Sequence, residues 1–158
     1  MSYSHGTILH IENFRFRDGV EKDTGKFIIV LTDFDDNTLI ISITTSQDHV
    51  PSYIEKKRCI HEKSIRFHVY IFPKDKKICD NEFSFPKETY IYLTGSHVQE
   101  YDISRLETEF KDGKVKNLGT LKKDELLELI YCVYCSPMIK NKFKPVLESL
   151  IEQLTSPS

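Results

Sequence analysis

The chain has 158 residues, 39% hydrophobic and 29% charged, which is ordinary for a single globular domain with its own core. Its 22 Lys and Arg against 24 Asp and Glu leave a formal charge of −2, so nothing draws the whole molecule toward nucleic acid or an anionic membrane, and any anion site must be local. No apolar run reaches the length of a membrane span and no basic-then-apolar leader is visible, so the four cysteines (Cys59, Cys79, Cys132, Cys135) are expected as reduced thiols of a cytoplasmic protein.

Gly6 to Ile11 is a short strand, and Phe14-Arg15-Phe16-Arg17 alternates as a half-buried continuation before Asp18-Gly19 turns the chain. Lys26 to Thr32 is nearly continuous in apolar residues, as a strand buried on both faces would be. The polar turn Asp33 to Asn37 is of hairpin type, so the next strand, Thr38 to Thr45, should pair antiparallel with it. Residues 51–88 are the least regular part, with one good strand at Ile65–Phe72, stopped by Pro73. Between Pro51 and Lys77, eight Lys or Arg against three Asp or Glu leave a surplus of five, to be read either as a solvated loop or as a patch facing nucleic acid. Thr89–Leu93 resumes as a strand, Gly95–Val98 forms a turn or bulge, and 103–110 holds one more strand. From Thr120, a candidate N-cap, the period becomes helical: Leu126, Leu127, Ile130, Val133 and Tyr134 share a face up to Ser136-Pro137. A second helix around 138–154 carries Phe143, Val146, Leu147, Leu150, Ile151 and Leu154, and Pro145 predicts a late start or a kink. Strands followed by helices make an α+β domain.

Cleavage of RNA without a metal needs a group that takes the 2′-hydroxyl proton, a cation for the phosphorane, and hydroxyls to hold phosphate. Glu21, Lys26, Thr44, Thr45 and His97 are of the right types, although Lys and Thr at strand ends are commonly just solvated. Cys59, His61, His68 and Cys79 match no usual structural zinc spacing, so neither metal nor other cofactor is expected. Cys132 and Cys135 have CxxC spacing but lie within an amphipathic helix, where buried core thiols are the plainer reading.

Several weak motifs, in order, resemble the MazF/PemK family of growth-inhibiting toxins from bacterial toxin–antitoxin pairs. Gly6-Thr7-Ile8 and Phe14-Arg15-Phe16-Arg17-Asp18-Gly19 are similar to the family's opening strand and its Phe-rich run into Asp-Gly. Lys26-Phe27 before Ile28–Leu31 stands where the family has Arg-Pro before an apolar strand, and Ile43-Thr44-Thr45-Ser46-Gln47 to Pro51 resembles its Thr-Thr element and polar loop. Tyr90–Leu93, Tyr101–Leu106 and Leu118–Leu121 resemble the late strand, the Ile-Asp turn and the entry to the final helix.

The resemblance implies a small SH3-like curled β-barrel (MazF/PemK/CcdB-like) over about 5–118, enlarged by an insertion at about 52–88, with C-terminal helices over about 120–155, all one domain of residues 1–158. It further implies a cytoplasmic homodimer, held in check by a cognate antitoxin, that cleaves single-stranded RNA without metal and does not engage membranes. Carried over by position, Lys26 takes the place of the catalytic Arg, Thr44 that of the phosphate-contacting Thr, and Glu21 that of a first-loop acid; His97 is a further proton-transfer candidate. Thr45, Ser46, Gln47, Arg17 and Ser96 are the expected RNA and phosphate contacts. Lys26 keeps the charge of Arg and loses its bidentate fork. That departure leaves as an alternative a binding module for RNA or protein that has lost turnover; a further alternative, because a related toxin family shares the barrel, is a gyrase-inhibiting toxin.

Overall fold

A computed structural model describes residues 3–12, 26–43, 50–102, 104–105 and 115–156. The described residues form eight strands and two α-helices: β1 (Thr7–Ile11), β2 (Lys26–Phe34), β3 (Asn37–Ile43), β4 (Cys59–Glu62), β5 (Phe67–Phe72), β6 (Thr89–Tyr92), β7 (Val98–Tyr101), β8 (Val115–Thr120), α1 (Lys123–Cys135) and α2 (Lys144–Thr155). Five strands make one antiparallel sheet in the order β7-β3-β2-β1-β8, and three make a second in the order β4-β5-β6.

β2 is the central strand of the larger sheet, which explains its unbroken apolar run. Alternate side chains go to opposite faces: Ile29 and Leu31 enter the main core with Ile8, Leu39 and Ile41, while Ile28 and Val30 join Leu9, Ile11 and Ile40 on the other face. The β2–β3 hairpin forms as expected, with Phe34 opposite Asn37 and Phe27 opposite Ile43, and Asp35 takes the positive φ of 52° that the tight turn demands. Each fully buried Ile here contributes about 1.5–3 kcal/mol.

The segment expected to be irregular holds the second sheet. β4 was not anticipated: Cys-Ile-His-Glu is short and polar, and it becomes a strand by pairing with β5, Ile60 opposite Val69 and His61 opposite His68. β5 begins two residues later than expected, because Lys63–Ile65 form a 3-10 turn and Arg66 takes a left-handed conformation. One face of this sheet buries Tyr70 and Phe72 against the main core; the other carries Ile60, Val69, Ile71 and Tyr90.

α1 buries Leu126, Leu129, Ile130, Cys132 and Val133. Thr120 does not cap it: Thr120 ends β8, where its carbonyl accepts from Asp80, and Lys122 occupies the N-cap without a side-chain cap. The C-terminal carbonyls of α1 are met by the Lys144 ammonium, which donates to the carbonyls of Tyr134 and Ser136. α2 starts at Lys144 with Pro145 in its first turn, the late start expected from that proline, and buries Leu147 and Leu150.

The α+β class is therefore as expected. Barrel closure is not found: among the described residues no strand pairing joins the two sheets, although β3 passes beside β6. β4 and β6 each pair with β5 alone and are the two edges of the smaller sheet. The strand expected at 103–110 falls mostly outside the described residues; of it, Ser104 and Arg105 are described and are helical rather than extended, with Asp102 Oδ1 accepting from the Ser104 N–H. No described helix is long and apolar enough to cross a membrane.

Candidate functional site

One end of the larger sheet gathers the described candidates. Lys26 opens β2 opposite Ile11, and its neighbour Phe27 pairs with Ile43, the last residue of β3. The backbone N–H of Ser42 donates to the His97 carbonyl at 2.8 Å, which brings the turn before β7 to the same end. That turn is the one expected at Gly95–Val98, closed by the N–H groups of His97 and Val98 donating to the Thr94 carbonyl at 3.1 Å.

The turn also sets the imidazole. His97 Nδ1 shares a hydrogen bond with Thr94 Oγ1 at 2.7 Å, Thr94 Oγ1 lies 3.0 Å from Ser96 Oγ, and the Tyr92 ring sits 6.0 Å away. His97 is half-buried, and desolvation is the main force holding its pKa below the ordinary 6.5; the positive charge of Lys26 adds to it. Both effects favour the neutral imidazole. In the tautomer that donates Nδ1–H to Thr94, Nε2 carries the lone pair that can take a proton, and Lys26 is the neighbouring cation whose charge the ring feels.

Of the expected site residues, Lys26, Ser96 and His97 are described and share this end. Arg17, Glu21, Thr44, Thr45, Ser46 and Gln47 lie outside the described residues. Thr94 was not expected to serve the site; a Thr three residues before a His across a Gly turn was the available signal.

Five of the eight Lys and Arg between Pro51 and Lys77 have carboxylate partners, and Lys63, Arg66 and Lys74 are exposed. Lys56 pairs with Glu88, Lys57 with Glu55, Arg58 with Glu125 and Glu128, Lys76 with Glu125, and Lys77 with Glu82. Arg58 is the most embedded of these. Its guanidinium lies over the Tyr70 and Phe72 rings, 5.3 and 5.9 Å from their centroids. Burial pulls its pKa down, but the hydrogen bonds to Glu125 and the charges of Tyr70, Glu125 and Glu128 together hold it above its usual value.

The cysteines also differ from expectation. Cys59 of β4 is disulfide-bonded to Cys132 of α1, so these two are not reduced thiols. Cys79 is buried with its thiol pushed up to about 12 by desolvation and by Asp80 and Glu125, and Cys135 is exposed rather than in the core. His61 and His68, directly opposite each other on β4 and β5, share a Nδ1···Nδ1 hydrogen bond of 2.8 Å beside the disulfide.

Comparison with known proteins supplies no relative: no family model matches this chain, and no curated protein or solved structure is significantly similar to it.

Proposed function

We propose that the Lys26–His97 end of the larger sheet cleaves single-stranded RNA by attack of a 2′-hydroxyl on the adjacent phosphorus, as in the MazF/PemK-like toxins that the sequence resembles. His97 Nε2 takes the 2′-hydroxyl proton, and the Lys26 ammonium offsets the charge gathering on the phosphorane. Thr44 and Thr45, which follow directly on β3 in sequence, hold phosphate oxygens, with Ser46, Gln47, Arg17 and Ser96 as further RNA contacts; Glu21 is the alternative proton carrier. The products are a 2′,3′-cyclic phosphate and a free 5′-hydroxyl. In this reading the two sheets are the halves of an SH3-like barrel, and the chain acts in the cytoplasm as a homodimeric growth inhibitor checked by an antitoxin.

The observation that carries the proposal is the pairing of charge and base: an imidazole kept neutral by burial, oriented by Thr94, and within the field of Lys26. Either group alone is ordinary surface chemistry. Together at one strand end they meet two of the three needs of metal-free RNA cleavage.

The test is purified, unreduced protein with a mixed-sequence single-stranded RNA in EDTA, beside Lys26→Ala. Removal of one preorganised cation from the transition state lowers the cleavage rate by about 100- to 1000-fold. Cleavage indifferent to Lys26→Ala overturns the assignment. Salt-dependent RNA binding without turnover would replace it with a binding module, and growth arrest with broken DNA and intact RNA would replace it with gyrase inhibition.

A further inference from the structure

Strand alternation puts Cys59 and His61 on the same face of β4, and α1 lays Cys132 across that face. The ligand atoms of all three lie within 4.8 Å of one another. His61 Nε2 is 3.6 Å from Cys132 Sγ. In a tetrahedral zinc site with Zn–S near 2.3 Å and Zn–N near 2.05 Å, a nitrogen and a sulfur ligand stand about 3.6 Å apart.

In the disulfide form His61 Nε2 lies 2.9 Å from the Cys132 carbonyl oxygen, a hydrogen bond that keeps the imidazole beside the Cys132 sulfur. The other nitrogen of His61 is engaged by His68, which is 3% exposed, at 2.8 Å. A ligating His characteristically has its second nitrogen held in this way, which fixes the tautomer and points the lone pair at the metal. On the open side, a groove of about 280 Å³ runs past Cys59 and His61, bordered by Tyr53, Lys57 and Glu62, and gives an entry path.

We propose that in the reduced chain Cys59, Cys132 and His61 bind a zinc-class divalent cation, with His68 as the positioning residue and a fourth position open to the groove. The donor set is two soft thiolates and an imidazole, which favours zinc over hard cations such as magnesium or calcium. A small dithiol reduces the Cys59–Cys132 bond and becomes a cyclic disulfide, leaving two thiols; the cation then displaces their two protons. His61 gives up its Nε2 hydrogen bond to the Cys132 carbonyl and moves that proton to Nδ1, where His68 accepts the hydrogen bond. A small-molecule disulfide reverses the sequence: its S–S bond is reduced to two thiols, Cys59–Cys132 re-forms, and the cation leaves. Metal and disulfide are thus alternative bridges between β4 and α1.

Cobalt(II) titrated into the folded chain is the test, read by thiolate-to-cobalt charge transfer and the visible bands of a tetrahedral site. Reduced protein takes one equivalent and the disulfide form takes none. In the wild type, bound cobalt also removes two thiols from reaction with a thiol reagent, a readout that needs no variant. Cys135→Ser leaves the spectrum unchanged, while Cys59→Ser abolishes it. His68→Leu weakens binding about 10- to 100-fold, and His68→Gln, which keeps an acceptor for His61, restores most of it. The proposal is overturned by reduced wild-type protein that develops no such bands, or by cobalt that leaves all reactive thiols unprotected.

Discussion

Glu125→Ala removes the anion that holds Arg58 against the sheet. The Glu125 side chain is 5% exposed and that of Arg58 26%, and the guanidinium reaches both carboxylate oxygens, at 2.5 and 3.2 Å. Removing one partner of a fully buried pair costs about 3–5 kcal/mol because the other charge is stranded. Arg58 keeps some water and retains Glu128 at 3.3 Å, so the expected loss is about 2–3 kcal/mol. At about 2–4 °C per kcal/mol for a domain of this size, Tm falls by roughly 4–12 °C. Denaturant melts of the wild type, Glu125→Ala, Arg58→Met and the double variant Arg58→Met with Glu125→Leu measure it. The double variant should recover most of the loss, since an apolar pair leaves no charge unpaired. A Glu125→Ala cost below about 0.5 kcal/mol, a surface-pair value, would refute the claim that this contact anchors α1 to the second sheet.

Gly119 sits at φ +142°, where an added Cβ would lie 2.4 Å from Asn81 Oδ1, an atom held by the Phe83 N–H, so Gly119→Ala should cost about 2 kcal/mol in a denaturant melt; an unchanged midpoint would show that Asn81 yields freely. A thiol reagent on the native, unreduced chain should label Cys135 rapidly and spare buried Cys79, whose thiol is pushed up to about 12, while denaturation without reductant should expose two thiols in all; rapid labelling of more than one thiol in the native chain contradicts this. Because burial and Lys26 lower the folded pKa of His97 below 6.5, the folded state binds fewer protons than the unfolded one in the window beneath 6.5. The His97 contribution to stability is therefore complete above pH 6.5 and declines as pH falls toward the folded pKa, and His97→Gln should flatten that part of the Tm–pH curve; an identical curve in the variant would show that His97 is not perturbed.

The parts of this fold legible from residue order were those that local pattern determines. β2 could be read because a central strand must be apolar on both faces, and α2 because Leu147, Leu150 and their neighbours repeat at helical spacing around a proline suited only to the first turn. β4 was not legible: its four residues have no periodicity of their own and are strand only because β5 lies beside them. Cys132 and Cys135 were expected as core thiols, but the partner of Cys132 is Cys59, 73 residues distant, which arrives through the packing of α1 on the second sheet. Spacing along the chain groups Cys59, His61, His68 and Cys79, whereas in the fold His61 meets Cys132 across that same long-range contact. Charge counted along the chain is incomplete for a related reason, since Glu125 and Glu88, which pair with Arg58 and Lys56, arrive from elsewhere in the fold. At the site, Lys26 and His97 were named from chemistry, but their sharing one sheet end depends on β3–β7 pairing, which no short-range pattern announces.

The central claim is that a base and a cation at that sheet end activate a ribose 2′-hydroxyl. It is tested most directly by giving the unreduced protein, in EDTA, one single-stranded RNA and its fully 2′-O-methylated copy, and by identifying the ends formed. The account predicts cleavage of the first to 2′,3′-cyclic phosphate and 5′-hydroxyl ends, with the methylated copy left intact. Equal cutting of both strands, or no cutting of either, would contradict it.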